Sequence, residues 1–304
     1  VASTRKKVTP ELEGPLDRAV RVAFATSWGK ARDWIARGKV SAGGVVVTDP
    51  TTRVRAGTEI AIDERAPRPG RARLADEDVA YLDPHVVVVR KPPGISTIPY
   101  DPQDTDTLDA RVRAWLEARG KVRGGRPNLG VVHRLDKETS GLVVFTRTWL
   151  AKQSLAGQFR GHTVHRRYLA IAHGDVRAGT LRSFFVENRG DGLRGSARGT
   201  PPHGAREAIT HVERLEALRG ATLVACRLET GRTHQIRIHL SEAGHPLVGE
   251  RVYVRRFPGP LIEAPRLMLH AAELGFVHPA TERAMRWEQP MPEDMRAVLE
   301  TLRR

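Results

Sequence analysis

The sequence predicts an α+β protein: a mainly antiparallel, mixed-sheet domain with inserted helices, preceded by a small α/β module. Three observations lead there. Within residues 79–304, short β-branched and apolar runs outnumber segments of helical period. Within residues 15–63, helical spacing gives way to short strand-like runs broken at Gly and Pro. Between these stretches, residues 64–78 are rich in Pro, Arg and charge without periodicity, as an interdomain linker would be.

Residues 1–14 are polar and basic with Pro10 and Gly14, and read as a disordered tail with no assigned role. From Leu16 to Ala36 the residues Val20, Ala23, Phe24, Ala31, Trp34 and Ile35 recur at helical spacing. The pattern breaks near Ser27 and Gly29, which predicts two short helices. Val40, Val45 to Val47, Val54 and Ile60 to Ile62 follow as small strands, separated by Gly43-Gly44, Asp49-Pro50 and Ala56-Gly57. In the second domain the predicted strands are Val86 to Arg90, Val131 to His133, Leu142 to Thr146, Tyr168 to His173, Ala208 to Leu215, Leu223 to Leu228 and Leu274 to Val277. Helices are expected at Thr107 to Arg119, Trp149 to Phe159, Thr233 to Ala243 and Pro292 to Leu302. Arg189 to Glu207, with its several Gly, Arg and Pro residues, reads as a mobile loop.

At 304 residues the chain can bury a substantial core. Fifty Lys and Arg against 35 Asp and Glu give a formal charge of +15, which favours a polyanionic partner, nucleic acid first. A compositional bias towards Arg and Ala is the competing source of that excess. The single cysteine, Cys226, lies in an apolar run, so neither a disulfide framework nor a thiolate metal cluster can form, and a reducing compartment fits. No stretch has the roughly 20 apolar residues of a membrane span, and the first residues lack the apolar core of a signal peptide. A cytoplasmic, non-membrane protein is expected.

Chemistry concentrates in His133 to Gly141, reading H-R-L-D-K-E-T-S-G. Leu129 to Val132 before it and Leu142 to Phe145 after it read as buried strands, so this polar stretch joins them as a loop and carries Asp136 between two cations. An acid so placed is costly to desolvate unless a cation or several hydrogen bonds hold it. Taken alone, Asp136 reads first as a surface turn residue paired with Arg134 or Lys137, and the rest of the chain reverses that preference.

Three further segments bear on it: R-R-Y-L-A at Arg166 to Ala170, L-E-T-G-R-T-H-Q-I-R-I-H-L at Leu228 to Leu240, and L-M-L-H-A-A-E-L-G-F-V-H-P at Leu267 to Pro279. Arg232 is expected at a helix start, where the macrodipole disfavours a cation, and such a broken local rule points to an anion site. Ile236 and Leu240, four apart, give that helix its buried stripe, and Arg237 beside it can reach along the core boundary towards Asp136.

Together these segments closely resemble the RluA-type pseudouridine synthases, through H-R-L-D-K-E-T-S-G, R-Y-L-A, G-R-T-H-Q-I-R and L-H-A-x-x-L-x-F in family order, from about Asp78 to Pro290. The resemblance implies that Asp136 is the catalytic aspartate, Tyr168 the aromatic residue at the target base and Arg237 the basic partner of the aspartate. Arg134 matches the arginine that helps hold the flipped-out nucleotide, and Leu269 the apolar residue packed near the base. Arg232 and His234 complete the substrate-binding candidates. The chain departs from the family at Arg166 and Arg167, where Lys often precedes the Tyr-x-Ala pattern. Near the N-terminus, S-W-G-K-A-R-D-W-I-A-R-G-K-V and the following V-V-V-T-D-P-T-T-R-V-R-A-G-T-E-I run resemble an S-four-like RNA-binding domain over about 50 residues. That resemblance places Lys30, Arg32, Arg37 and Lys39 against RNA phosphates.

Pseudouridine formation breaks the bond from the anomeric carbon to a ring nitrogen, turns the uracil and rejoins it through a ring carbon, without redox change or cofactor. A carboxylate at the anomeric carbon can stabilise charge, attack covalently or abstract a sugar proton, and the sequence leaves all three open. The uridine must leave its stack, so structured RNA with loops or bulges is the expected substrate, ribosomal in preference to transfer RNA, bound by a monomer. A catalytically silent RNA-binding or ribosome-assembly protein and a uracil-releasing hydrolase are the rival readings. His234, His239, His245 and His270 invite a metal site, but the spacing from His234 to His239 sets the two rings on different helix faces, so no metal is expected. His133 and His270 read as structural. Ser140 lacks a G-x-S-x-G elbow, and Gly124, Gly125 and Gly130 form no phosphate-cradling loop.

Overall fold

A computed structural model of the chain describes residues 4–66, 73–101, 104–120, 127–255 and 257–304. Gly124 and Gly125, and part of the expected linker, lie outside the described residues. The chain divides into two compact units, Val1–Ala72 and Arg73–Arg304.

In the first unit, β1 (Thr4–Lys7), β2 (Gly14–Pro15), α1 (Leu16–Ala23), α2 (Trp28–Ala36), β3 (Val40–Ala42), β4 (Val45–Val46), β5 (Arg53–Val54) and β6 (Glu59–Ile62) follow in order. The four-stranded sheet runs β1-β6-β3-β4, and β2 pairs with β5. Leu16, Val20, Ala31, Ile35, Val40 and Ile60 close the core between helices and sheet. Ser27 caps α2 by accepting the Lys30 N–H at 3.2 Å, which accounts for the break between the helices. The stretch read as a disordered tail is structured from Thr4: β1 pairs with β6 over four residues, and Val8 is buried. Composition does not reveal this strand because backbone hydrogen bonds hold it and all its side chains are exposed.

The second unit contains β7 (Val79–Leu82), β8 (Val86–Lys91), α3 (Leu108–Ala118), β9 (Gly130–Val131), β10 (Ser140–Thr146), α4 (Trp149–Arg160), β11 (His165–His173), β12 (Gly179–Val186), β13 (Gly195–Ser196), β14 (Arg206–Leu218), β15 (Ala221–Leu228), α5 (Gln235–Glu242), β16 (Leu269–Val277), β17 (Ala284–Glu288) and α6 (Glu293–Arg303). Its strands form one sheet ordered β13-β12-β14-β15-β11-β16-β10-β8-β7, with β17 added to β16 and β9 to β10. Among the described residues only the β10–β16 pairing is parallel, which gives the mainly antiparallel mixed sheet expected of an α+β fold. That pairing is confined to Ser140 and Gly141, and it requires glycine at 141: φ is +122°, and a Cβ would sit 2.3 Å from the Ala271 carbonyl.

Several boundaries differ from the sequence reading. Leu74, inside the expected linker, is buried in the core of the second unit. β7, β12 and β17 are strands that the sequence pattern does not mark, because their alternation is weak or their faces half exposed. The expected loop 189–207 contains β13, ends inside β14, and is tied by Arg189 to Asp191 and Glu242 at 3.1 and 3.0 Å. The helix expected from Thr233 begins at Gln235.

Candidate active site

Asp136 lies in the loop between β9 and β10, which pair as Val131 with Phe145 and Gly130 with Thr146. The loop is clamped at both flanks of the acid. The Leu135 N–H donates to the Thr97 hydroxyl at 3.1 Å, and that hydroxyl donates back to the Leu135 carbonyl at 2.9 Å. On the other side the Lys137 carbonyl accepts from the Gly94 N–H and from the Lys91 ammonium, each at 2.9 Å. Lys91 sits at the end of β8, is 1% exposed, and gives its remaining protons to the Pro92 and Ile95 carbonyls. Burial pushes its pKa down to about 7, against the pull of Glu138 and Asp136. The loop is therefore fixed before any substrate arrives.

Facing it is the turn into α5. His234 caps this helix in a left-handed conformation, φ 58°, that histidine rarely adopts. Gln235 locks the turn by accepting from the Arg232 N–H and the Thr230 hydroxyl and donating to the Ile209 carbonyl and Thr210 hydroxyl. Two residues on, Arg237 places Nη1 3.5 Å from Asp136 Oδ2, while His234 Nε2 stands 3.9 Å from Oδ1. Asp136 thus has a nitrogen towards each oxygen and keeps 24% of its side chain exposed, open to a ligand.

Arg237 is engaged more tightly elsewhere. Its Nε and Nη2 bind Glu250 at 2.7 and 2.8 Å, and the Glu250 side chain is wholly buried. Burial works against both charges, yet the pair wins: Arg237 is held above the ordinary arginine range and Glu250 below the ordinary carboxylate range. Backbone N–H groups of Arg251, Val252 and Tyr253 also donate to Glu250. The Tyr253 hydroxyl lies 2.8 Å from His234 Nδ1, and its ring lies 5.3 Å from the Arg237 guanidinium carbon. Burial lowers the His234 pKa, opposed by Asp136. A neutral ring that accepts from Tyr253 at Nδ1 turns an Nε2–H towards Asp136.

The loop is anchored in an apolar cluster through Leu135. Leu135, Tyr168, Ile236 and Leu269 belong to one buried cluster, so three of the sequence segments converge there with the Asp136 loop. Tyr168 follows a register shift between β11 and β16, which re-aims its side chain. Its hydroxyl titrates above the ordinary range because it is buried, with Arg166 opposing and Asp136 adding. Arg166, on the same strand, is 6% exposed and donates to the Glu229 carbonyl at 2.8 Å rather than to any carboxylate among the described residues.

Asp136, Arg237 and His234 thus come together, Tyr168 is close enough to feel the Asp136 charge, and Leu269 lies in the apolar cluster that holds Leu135 and Tyr168. Arg134 is exposed and has no hydrogen-bond partner among the described residues. Arg232 differs from expectation: it precedes the helix cap instead of starting the helix, and its Nε donates to the Glu207 carbonyl at 2.8 Å, so the helix-start argument for an anion site lapses. In the first unit Lys30 lies over Trp34, Arg32 pairs with Asp17, Arg37 with Asp33, and Lys39 donates to the Ala66 carbonyl. His239 and His270 are buried and hydrogen-bonded, and Ser140 is bound to His270 at 2.9 Å. His133 accepts from the Val144 N–H and stacks on Phe159. Glu250, Tyr253, Thr97 and Lys91 join the site without having been expected from sequence. A lysine closing the apolar run V-V-V-V-R-K was a usable signal for Lys91; nothing local marked Glu250.

A family profile described as RNA pseudouridylate synthase matches residues 85–242. The chain is 35% identical over 314 residues to ribosomal large subunit pseudouridine synthase D of Zymomonas mobilis, covering 97% of this chain and 96% of the relative. It is also 35% identical over 282 residues to the uncharacterized RNA pseudouridine synthase YlyB of Bacillus subtilis, covering 90% and 89%. The fold is similar to that of human RNA pseudouridylate synthase domain containing 4, with a TM-score of 0.61 at 23% identity over 75% of this chain and 93% of that one.

Proposed function

This chain belongs to the RNA pseudouridylate synthase family, and on that premise we propose that Asp136 drives the isomerisation of a uridine in ribosomal RNA. The supporting observation is the carboxylate itself: rigidly looped, partly open, and flanked by Arg237 and His234. In this reading the uridine leaves its stack and lies against Tyr168 and Leu269, with Arg134 on the vacated position or the nucleotide backbone. Asp136 acts at the anomeric carbon as the bond to the ring nitrogen breaks. The freed uracil turns, its ring carbon bonds the same anomeric carbon, that ring carbon loses its proton, and the ring nitrogen gains one. Atoms balance without redox change. Arg237 sets a fixed cation beside the carboxylate, and the Tyr168 hydroxyl assists the last proton transfer.

The preference for ribosomal RNA rests on the names of the relatives, ribosomal large subunit pseudouridine synthases. A ribosomal target goes with cytoplasmic action by a monomer, and the chemistry needs no metal or cofactor. No helix among the described residues is long and apolar enough to cross a membrane. The helix pair and sheet of the first unit support an S-four-like RNA-binding module, with Lys30, Arg32, Arg37 and Lys39 towards phosphate.

The test is incubation of the protein with transcribed large-subunit ribosomal RNA, followed by carbodiimide mapping and mass measurement. Isomerisation yields a new carbodiimide-reactive site at unchanged mass. Loss of the mass of a base would make the protein a hydrolase, and binding without either change would make it catalytically silent.

A further inference from the structure

The first unit carries a feature that phosphate contacts alone do not use. Trp28, the first residue of α2, is 43% exposed. The guanidinium carbon of Arg21, from α1, lies 4.8 Å from the centre of its indole, and that of Arg32, one turn along α2, lies 5.5 Å away. Both arginines keep donors in reserve. The Arg21 side chain makes no hydrogen bond or ion pair among the described residues, and its Nε is buried without a partner. Arg32 is held to Asp17 only through Nε, at 2.8 Å, leaving its terminal nitrogens available. Lys30 over Trp34, at 4.6 Å, repeats the cation-on-indole arrangement on the same helix.

An exposed indole with two forked cations offers a flat π surface beside donors for oxygen. A protein carboxylate would satisfy the guanidinium groups and leave the indole in water. Duplex RNA would offer phosphates but no accessible base face. An unpaired nucleotide supplies both, its base for stacking and its phosphate for the arginines. We propose that Trp28, Arg21 and Arg32 form a stacking site for one unpaired nucleotide of the RNA substrate, away from the uridine that reacts. The proposal rests on reading the first unit as RNA-binding, and it adds a base contact to what would otherwise be a phosphate grip. The base enters by displacing one guanidinium from the indole, and the freed arginine turns to the adjoining phosphate.

The experiment uses the full chain and two RNAs of equal charge, a hairpin with an unpaired loop and a fully paired duplex, with affinity measured across salt concentrations. Trp28→Leu should weaken hairpin binding by about 5- to 100-fold, leave duplex binding unchanged and keep the salt slope, because no charge is lost. Trp28→Phe should restore most of the affinity. Arg21→Met should lower the magnitude of the salt slope by about 0.7. Circular dichroism checks that each variant is folded, and the Trp28→Phe rescue decides the matter if Trp28→Leu is not. Equal losses on both RNAs, or hairpin binding untouched by Trp28→Leu while Arg21→Met still acts, would overturn the stacking site and leave a phosphate grip. Indifference to all three substitutions would instead sink the RNA-binding reading of the first unit.

Discussion

Arg237 gives two of its nitrogens to Glu250 and only the third to Asp136, at 3.5 Å against 2.7 and 2.8 Å. The buried glutamate therefore aims the guanidinium, and the aspartate receives a cation whose position is already set. Removing either member of such a buried pair costs about 3–5 kcal/mol because the other is left uncompensated. Glu250→Gln keeps the shape and removes the charge. It should lower the unfolding free energy by about 3 kcal/mol and reduce kcat roughly tenfold or more as Arg237 swings towards Asp136. Urea unfolding and single-turnover rates check this; a variant with full kcat would show that Glu250 does not position Arg237 for the reaction.

Asp136 makes no interaction that the fold depends on through its carboxylate; the loop is held by the backbone of Leu135 and Lys137. Asp136→Asn should therefore keep the wild-type stability and RNA affinity within a few fold while losing turnover by roughly four orders of magnitude. Turnover near wild type in that variant would refute the catalytic assignment.

How much of the site is legible in the sequence follows from the kind of interaction involved. Asp136, Tyr168, Arg237 and Leu269 sit in local motifs, so their residue types and spacing carry them. Glu250 lies 13 residues from Arg237 in a stretch with no motif, and only the folded chain brings the two together. Thr97 lies 38 residues from Leu135 and acts through a backbone bond that no side-chain pattern records. At Arg232 a shift of two residues in the helix start is enough to remove the electrostatic argument built on it. The strands with continuous apolar runs, β8, β10 and β15, are legible nearly whole, whereas β1 and β17, which bury little, are not.

His270 is wholly buried, with Nε2 facing the Gln289 carbonyl at 3.2 Å and Nδ1 the Ser140 hydroxyl at 2.9 Å. A neutral ring satisfies both, and burial pulls its pKa down from 6.5 to about 4. The unfolded chain takes up a proton between those values that the native chain lacks. Stability contributed by the neutral ring is thus complete above pH 6.5 and lost as pH falls towards 4, on the order of 3 kcal/mol. His239, also buried with a pKa of about 4, titrates in the same window. The urea midpoint should fall across this range, less steeply in His270→Gln than in wild type; identical slopes would show that His270 is not the group being protonated.

The two units hold separate cores, one of Leu16, Val20, Ile35 and Ile60 and the other of Val143, Phe145, Tyr168 and Ile236. The proposed catalytic side chains Asp136, Tyr168 and Arg237 all belong to the second. Deleting residues 1–63 should therefore leave a folded protein that unfolds cooperatively in urea and still isomerises uridine at high RNA concentration. Affinity should fall instead, and the slope of log K against log salt should become shallower by roughly 0.7 to 0.9 for each phosphate that the first unit had neutralised. Titration of the truncated protein against the same RNA at several salt concentrations measures both. An unchanged salt slope would mean that the cations of the first unit do not touch RNA, and the grip on the substrate would have to come from the second unit alone.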